Sequence, residues 1–108
     1  KRKFMKKLEK IEVGCCDDIP ILGSRVVKTA EGEIAIFRTA DQQFFAVKNS
    51  CPHRHGPLSE GLVHNGKVTC PLHNWVIDLE SGEAMGADVG CTPTYQVIVE
   101  GETLFLMN

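Results

Sequence analysis

Short runs of alternating apolar and polar residues recur along the chain and predict β-strands. The first run, from Ile11 to Cys16, alternates larger apolar side chains with polar or small ones, a period of two that is typical of a half-buried strand. Further runs rich in β-formers cover residues 25–29, 34–38, 44–47, 61–64, 67–70, 75–79, 94–100 and 103–107. About nine short strands joined by turns predict an all-β sandwich or a small barrel.

The residues between these runs predict turns. Asn65-Gly66 separates two of the runs, and Asn-Gly is favoured in two-residue hairpins because both positions of a type I′ turn need a positive φ. Gly101-Glu102 separates the last two runs, which predicts a closing hairpin. Residues 17–20 predict a turn or one helical turn. Phe4, Leu8 and Ile11 have helical spacing, which suggests that a short helix starts near the N-terminus.

Composition and charge narrow the class of protein. A chain of 108 residues with 43% hydrophobic content is long and apolar enough for a single domain, residues 1–108, with its own core. The net charge of −2 gives no basis for binding nucleic acid or a membrane surface. The basic residues among positions 1–7 are interpreted as a solvated end. Because no apolar run has transmembrane length and no signal peptide is evident, we expect a soluble, cytoplasmic protein.

Two short segments combine one thiol with one imidazole. Cys51 and His53 form a Cys-x-His pair, and Cys70 and His73 form a Cys-x2-His pair, with sixteen residues between His53 and Cys70. Two Cys and two His are the ligands of a Rieske [2Fe–2S] centre, in which two Cys bind one iron and two His bind the other. A zinc site is one alternative, although zinc sites usually pair like residues and both pairs here are mixed. The other alternative is that packing alone placed the four residues.

These motifs resemble those of the Rieske ferredoxin family, whose pattern is met by Cys51, His53, Cys70 and His73. This resemblance implies a base of antiparallel strands, forming a sandwich or incomplete barrel, with an inserted cluster-binding subdomain at about residues 45–86. It also implies one [2Fe–2S] cluster per chain, bound by both Cys–His pairs.

Within that family the chain looks like the small subunit of assimilatory NAD(P)H-dependent nitrite reductase, and this similarity covers nearly the whole chain from Lys10 to Leu106. The residues that carry it are Cys51-Pro52-His53-Arg54, Gly56 to Gly61, Cys70 to Trp75, Gly90-Cys91, Thr94-Tyr95, Val97 and Ile34 to Arg38. This resemblance implies nitrate assimilation, with a large partner subunit that carries FAD, a [4Fe–4S] cluster and sirohaem and reduces nitrite to ammonium. The alternative function is a free-standing Rieske ferredoxin that delivers electrons to a ring-hydroxylating oxygenase. In either case we expect a non-catalytic electron-transfer component of an oxidoreductase. Glu60, Asp78 and Glu80 are scattered carboxylates without a paired nucleophile and base.

Departures from the family motif suggest a low reduction potential. High-potential Rieske proteins have one extra Cys in each loop, joined as a disulfide, and a Ser two residues after the second His. The corresponding residues here are Gly56, Leu72 and Trp75. The bridge therefore cannot form, and the cluster lacks one hydroxyl hydrogen bond that would stabilise its reduced state. Trp75 is interpreted either as a shield for the cluster edge or as a core residue at the start of a strand.

The remaining candidates receive structural or surface roles. His55 could compete with His53 as a ligand, but the family spacing favours His53. His64 is predicted to lie at the surface end of a strand. Partner docking is expected at the tip that carries the two imidazoles, with Arg54 and Leu58 as surface residues there. The other cysteines, Cys15, Cys16 and Cys91, are expected to be buried or half-buried thiols without a disulfide, and Cys91 could pack under the ligand loops.

Overall fold

A computed structural model describes residues 9–30, 32–52, 56–72, 74–85 and 90–107. These residues form nine β-strands and two three-residue 3₁₀ turns, which confirms the all-β prediction. The strands are β1 Lys10–Cys15, β2 Ser24–Thr29, β3 Gly32–Arg38, β4 Phe44–Lys48, β5 Leu62–His64, β6 Lys67–Thr69, β7 Val76–Asp78, β8 Thr94–Glu100 and β9 Thr103–Met107. The 3₁₀ turns are Cys16–Asp18 and Leu58–Glu60. The described residues include no helix that could cross a membrane.

All strand pairs are antiparallel and build two sheets. The first sheet has six strands in the order β1-β9-β8-β4-β3-β2, and the second has three in the order β5-β6-β7. The chain completes β4, builds the whole second sheet and then returns to the first sheet at β8, so the second sheet is an insertion in the first. The predicted range of about 45–86 contains all of the second sheet, and its exact bounds stay a prediction.

Two hydrophobic cores share strand β3. Ile34 and Ile36 are buried in one core with residues of β1 and β9, whereas Ala35 and Phe37 are buried in a second core with residues of the inserted sheet. Successive side chains of a strand point to opposite faces. Burial on both faces explains why residues 34–37 are continuously apolar instead of alternating. The second core is the one that contains both cysteines of the predicted ligand pairs.

The turn predictions agree with the observed backbone. Asn65 and Gly66 connect β5 to β6 with φ values of 48° and 73°, as the hairpin signal required. A 3₁₀ turn over residues 16–18 overlaps the turn that was predicted over residues 17–20. Strand β7 begins at Val76, one residue after Trp75, which belongs to the preceding loop. In the predicted N-terminal helix, Phe4 and Leu8 lie outside the described residues, and Ile11 is part of β1.

Candidate metal centre

The two predicted cysteine ligands lie shortly after strands and belong to the second core. Cys51 follows β4 and Cys70 follows β6, and each residue is only 1% exposed. Both belong to the same buried cluster of side chains. Because β4 and β6 belong to different sheets, it is the shared core that places in one cluster two thiols nineteen positions apart in the sequence.

Each cysteine closes its own loop with a backbone hydrogen bond. The Cys51 N–H donates to the Gly56 carbonyl at 2.8 Å, and the Cys70 N–H donates to the Trp75 carbonyl at 2.7 Å. Both hydrogen bonds join a cysteine to the residue five positions later, so the two loops are closed by the same backbone hydrogen-bond pattern. In the second loop the Asn74 N–H also donates to the Cys70 carbonyl at 3.1 Å. Backbone groups on both sides of Cys70 are thus held by its own loop.

Gly56 lies where the two loops touch. A Cβ atom on Gly56 would lie 3.3 Å from the Cys70 sulfur and 2.7 Å from Leu72 Cδ1. The first loop therefore packs directly on the second, and no larger residue fits without displacing Leu72. Gly56 and Leu72 are the two positions that the family resemblance relates to a disulfide in high-potential proteins. They are neighbours in this structure, but neither provides a sulfur.

A third segment packs on both ligand loops. A Cβ atom on Gly90 would lie 3.2 Å from Pro52 Cβ and 3.6 Å from Trp75 Cζ3. Its neighbour Cys91 is exposed, so the prediction that Cys91 packs under the ligand loops is wrong and Gly90 occupies that place. Buried Thr92 holds this segment to the first loop, since its hydroxyl donates to the Ser50 carbonyl at 3.2 Å.

Leu58 is the second correction. It is 0% exposed and lies in the second core, so it cannot be a docking residue at the surface. The 3₁₀ turn that contains Leu58 is tied to the first sheet, because the Ser59 N–H donates to Asn49 Oδ1 at 2.8 Å and the Ser59 carbonyl accepts from the Ser24 hydroxyl at 2.8 Å. Leu72, which is 53% exposed, is a large apolar side chain that the second ligand loop presents to solvent.

The two predicted histidine ligands, His53 and His73, lie outside the described residues, as do Arg54 and His55. Among the described residues, no group of three or more His, Cys, Asp and Glu side chains is arranged to hold a metal ion. The described half of the predicted ligand set nevertheless fits an iron–sulfur cluster. Two buried thiols, provided by two adjoining loops, are the donors that the all-sulfur iron of a Rieske centre needs.

The other cysteines and His64 have simple environments. All five cysteines are in the described part of the chain and carry thiols. Cys16 is half-buried as expected, whereas Cys15 is exposed, so for Cys15 and Cys91 the prediction of burial is wrong. His64 ends β5 as predicted, and its Nε2 lies 2.7 Å from the Thr69 hydroxyl across the hairpin.

The three scattered carboxylates lie in two different places. Asp78 and Glu80 line an open groove of about 430 Å³ together with Asp41, between the turn after β3 and the β5–β6 hairpin. Asp78 Oδ2 accepts a hydrogen bond from the Ser81 N–H at 2.9 Å, as in a turn. Glu60 is exposed at the end of its 3₁₀ turn.

Sequence reasoning missed Asn74, Gly56 and Gly90. Asn74 has a φ of 60°, a left-handed conformation that Asn tolerates better than most residues. The residue type was the only signal in the sequence for this conformation. Nothing local indicated the close contacts of Gly56 and Gly90, because both arise between segments that are distant in sequence.

Comparisons with known proteins agree with the motif. A protein-family model described as the Rieske [2Fe–2S] domain matches residues 9–96. The ferredoxin component of a naphthalene 1,2-dioxygenase/salicylate 5-hydroxylase system from Ralstonia sp is 31% identical over 102 residues, covering 89% of this chain and 92% of that protein. The anthranilate 1,2-dioxygenase ferredoxin subunit of Burkholderia cepacia is 49% identical over 49 residues, covering 45% of this chain and 44% of that subunit.

Solved structures share the fold. A structure assigned as the small subunit of an NADH-dependent nitrite reductase from Mycobacterium tuberculosis superimposes with a TM-score of 0.85, covering 95% of this chain and 97% of that one. Its sequence identity to this chain is 20%, so the likeness concerns the fold alone.

Proposed function

Because this chain belongs to the Rieske [2Fe–2S] family, we propose that its two Cys–His pairs bind one [2Fe–2S] cluster per chain. The proposed ligands are Cys51, His53, Cys70 and His73. The observation that carries the proposal is that Cys51 and Cys70, from two separate loops, are each 1% exposed and share one core. Packing alone does not require thiols at these two positions, because small apolar side chains would fill them equally well.

The chain is an electron-transfer protein, and its cofactor supplies one-electron chemistry. The protein contributes the environment of the cluster. The second core shields the two cysteines from solvent, and a backbone hydrogen bond within each loop holds the backbone of Cys51 and of Cys70. Gly90 packs over Pro52 and Trp75. If all four proposed ligands bind, no coordination position stays open for a substrate. The role that follows is exchange of electrons with another protein.

Two classes of partner are proposed. The near full-length similarity to a dioxygenase ferredoxin component supports an oxygenase as the electron acceptor. The flanking residues that resemble a nitrite reductase small subunit, with the shared fold of the Mycobacterium tuberculosis protein, support a large reductase subunit that carries FAD, a [4Fe–4S] cluster and sirohaem. Purified oxygenase and purified reductase large subunit from the same organism as this chain would each be assayed for turnover with the reduced chain. The partner that gives saturable turnover is the physiological one.

The cofactor and its ligands are tested together. The chain would be purified without oxygen and analysed for iron, sulfide, optical spectrum and EPR signal after reduction by dithionite. We expect two irons, two sulfides and a Rieske-type EPR signal. The variants Cys51→Ser, Cys70→Ser, His53→Ala and His73→Ala should each lose that signal. Cys91→Ser and His55→Ala are the matched controls and should keep it.

Two results would overturn the ligand assignment. One is a colourless protein that contains a single zinc or no metal. The other is a Rieske-type signal that persists in a variant of any of the four ligands, or disappears in His55→Ala while His53→Ala keeps it. Because His53 and His55 are two residues apart, this pair of variants decides directly between them.

We propose that the partner docks beside the second ligand loop, where Leu72 is 53% exposed. Replacing Leu72 by Gln should lower the rate of electron transfer to the partner while the optical spectrum stays unchanged. Leu62→Gln is the control, because Leu62 is 75% exposed on β5 and outside both ligand loops. Equal rates for the two variants in stopped-flow measurements would place docking on another face.

A further inference from the structure

The second ligand loop contains a non-glycine residue with a left-handed backbone. Asn74 has a φ of 60° and an exposed side chain. Its N–H donates to the Cys70 carbonyl at 3.1 Å, and the carbonyl of the following residue, Trp75, accepts from the Cys70 N–H at 2.7 Å. The peptide group that precedes Asn74 and the one that follows Trp75 are therefore both bonded to the backbone of Cys70, and the Asn74 backbone lies between them.

The conformation of Asn74 is what allows both bonds. In a right-handed or extended conformation, Asn74 would send Trp75 in another direction, and the Asn74 N–H and the Trp75 carbonyl could not both reach the backbone of Cys70. Left-handed φ values are readily adopted only by Gly and, less easily, by Asn and Asp. For a β-branched residue the same conformation is a severe outlier. Since its side chain is exposed, Asn74 has no packing role to explain its presence at this position.

We propose that Asn74 is a positioning residue for the cluster, because its left-handed backbone closes the loop that orients the Cys70 sulfur. This inference rests on the proposed role of Cys70 as a ligand. The geometry around the cluster sulfurs, including nearby N–H groups, tunes the reduction potential of an Fe–S centre. A change in the Asn74 backbone should therefore alter both the potential and the lifetime of the cluster.

The chain contains a matched control for backbone strain. Asn65 is also an exposed Asn with a left-handed backbone, with a φ of 48°, but it lies in the β5–β6 turn. No hydrogen bond of Asn65 to either predicted cysteine ligand occurs among the described residues. The same substitution at Asn65 and Asn74 imposes comparable strain, and only the one at Asn74 acts on the cysteine loop.

The experiment compares Asn74→Gly, Asn74→Ala and Asn74→Val with Asn65→Val in the cluster-loaded protein. The readouts are the midpoint potential, the EPR g-values, the rate of cluster loss in air and the melting temperature. Asn74→Gly should match the wild type. Asn74→Val should shift the potential and g-values and lose its cluster about tenfold faster, the factor that left-handed strain implies. Asn65→Val should lower the melting temperature without changing the potential or g-values.

Asn74→Ala keeps the test decisive if Asn74→Val cannot retain a cluster. It should shift the midpoint potential and the g-values in the same direction as Asn74→Val, but by a smaller amount. The inference is overturned if Asn74→Ala and Asn74→Val change only the melting temperature, as Asn65→Val does, or if Asn74→Gly behaves like Asn74→Val. Cys70→Ser separates this result from the proposed function. If Cys70→Ser retains the Rieske signal, the ligand assignment fails and the inference fails with it. If Cys70→Ser is colourless and the Asn74 variants have wild-type potentials, only the inference fails.

Discussion

At the scale of single residues, the contact between Gly56 and Leu72 controls how closely the ligand loops approach. Gly56→Ala would place a methyl group 2.7 Å from Leu72 Cδ1, 2.8 Å from Leu72 Cγ and 3.3 Å from the Cys70 sulfur. Such overpacking typically costs about 1–3 kcal/mol. We expect Gly56→Ala to lower both the iron content per chain and the melting temperature, measured by iron assay and circular dichroism.

The neighbouring side chain provides the control for this prediction. In the double variant Gly56→Ala/Leu72→Ala, the atoms that clash with the new methyl group are absent, so iron content should recover. Leu72→Ala alone should have little effect, because Leu72 is 53% exposed. A double variant as defective as Gly56→Ala would mean that the defect comes from Cys70 instead of Leu72.

The residues around the cluster also predict its potential. Rieske centres span about −150 to +300 mV. This chain has Gly56, Leu72 and Trp75 at the positions where high-potential members carry a disulfide and a Ser hydroxyl, so fewer interactions stabilise the reduced state. We expect a midpoint below zero by protein-film voltammetry. A midpoint well above zero would show that other hydrogen bonds compensate for the missing hydroxyl.

At the scale of secondary-structure elements, Arg38 attaches the first 3₁₀ turn to the end of β3. Its Nη1 donates to the carbonyls of Ile19 at 2.9 Å and Cys16 at 3.2 Å, and its guanidinium lies 5.3 Å from the Phe44 ring centre. The Arg38 side chain is 12% exposed. Replacing it with Met leaves two carbonyls without this donor, at a cost of about 2–4 kcal/mol. Urea unfolding of the variant would measure that loss.

Arg25 is the matched control for Arg38. It reaches Asp18 Oδ2 at 3.4 Å, but both side chains are nearly half exposed, so this ion pair should contribute less than about 1 kcal/mol. Arg25→Met should therefore unfold at almost the wild-type urea concentration. If the Arg25 and Arg38 variants lost the same free energy of unfolding, the carbonyl contacts of Arg38 would not be the reason for its effect on stability.

At the scale of the whole molecule, the two cores depend on metal to different extents. The core of the inserted sheet contains Cys51 and Cys70, whereas the core between β1, β3 and β9 contains neither. Metal binding stabilises the structure that holds the ligands. Removing iron with a chelator should therefore increase amide exchange mainly in β5, β6 and β7. Hydrogen–deuterium exchange with mass spectrometry of both forms would measure the difference.

The six-stranded sheet is the internal reference for that experiment. Its strands β8 and β9 pair over five residues of each strand, and these pairs do not involve the ligand loops. Protection in β8 and β9 should survive iron removal, because local opening reports the stability of each region separately. Uniform loss of protection would show that the chain unfolds as one cooperative unit, and the inserted sheet would not be a separate subdomain.

The sequence alone was sufficient to predict the strands, the main turns and the ligand motif. Alternation within each run depends only on neighbouring residues, and Asn65-Gly66 specifies its turn through its own φ preferences. The Cys–His spacing is likewise a local property, and it was enough to identify the family that the whole-domain comparison then showed. The proposed histidine ligands still rest on that spacing.

The tertiary structure decided which of these local elements meet. Burial of Leu58, exposure of Cys91 and the contact of Gly56 with Leu72 all depend on segments that are far apart in sequence. A local pattern states which side of a strand is apolar, but not which segment will cover it, because that depends on strand order and on packing at near-solid density. The sequence by itself therefore determined the chemistry and the elements of this protein, whereas only the folded chain decided which residues surround its cysteine pair.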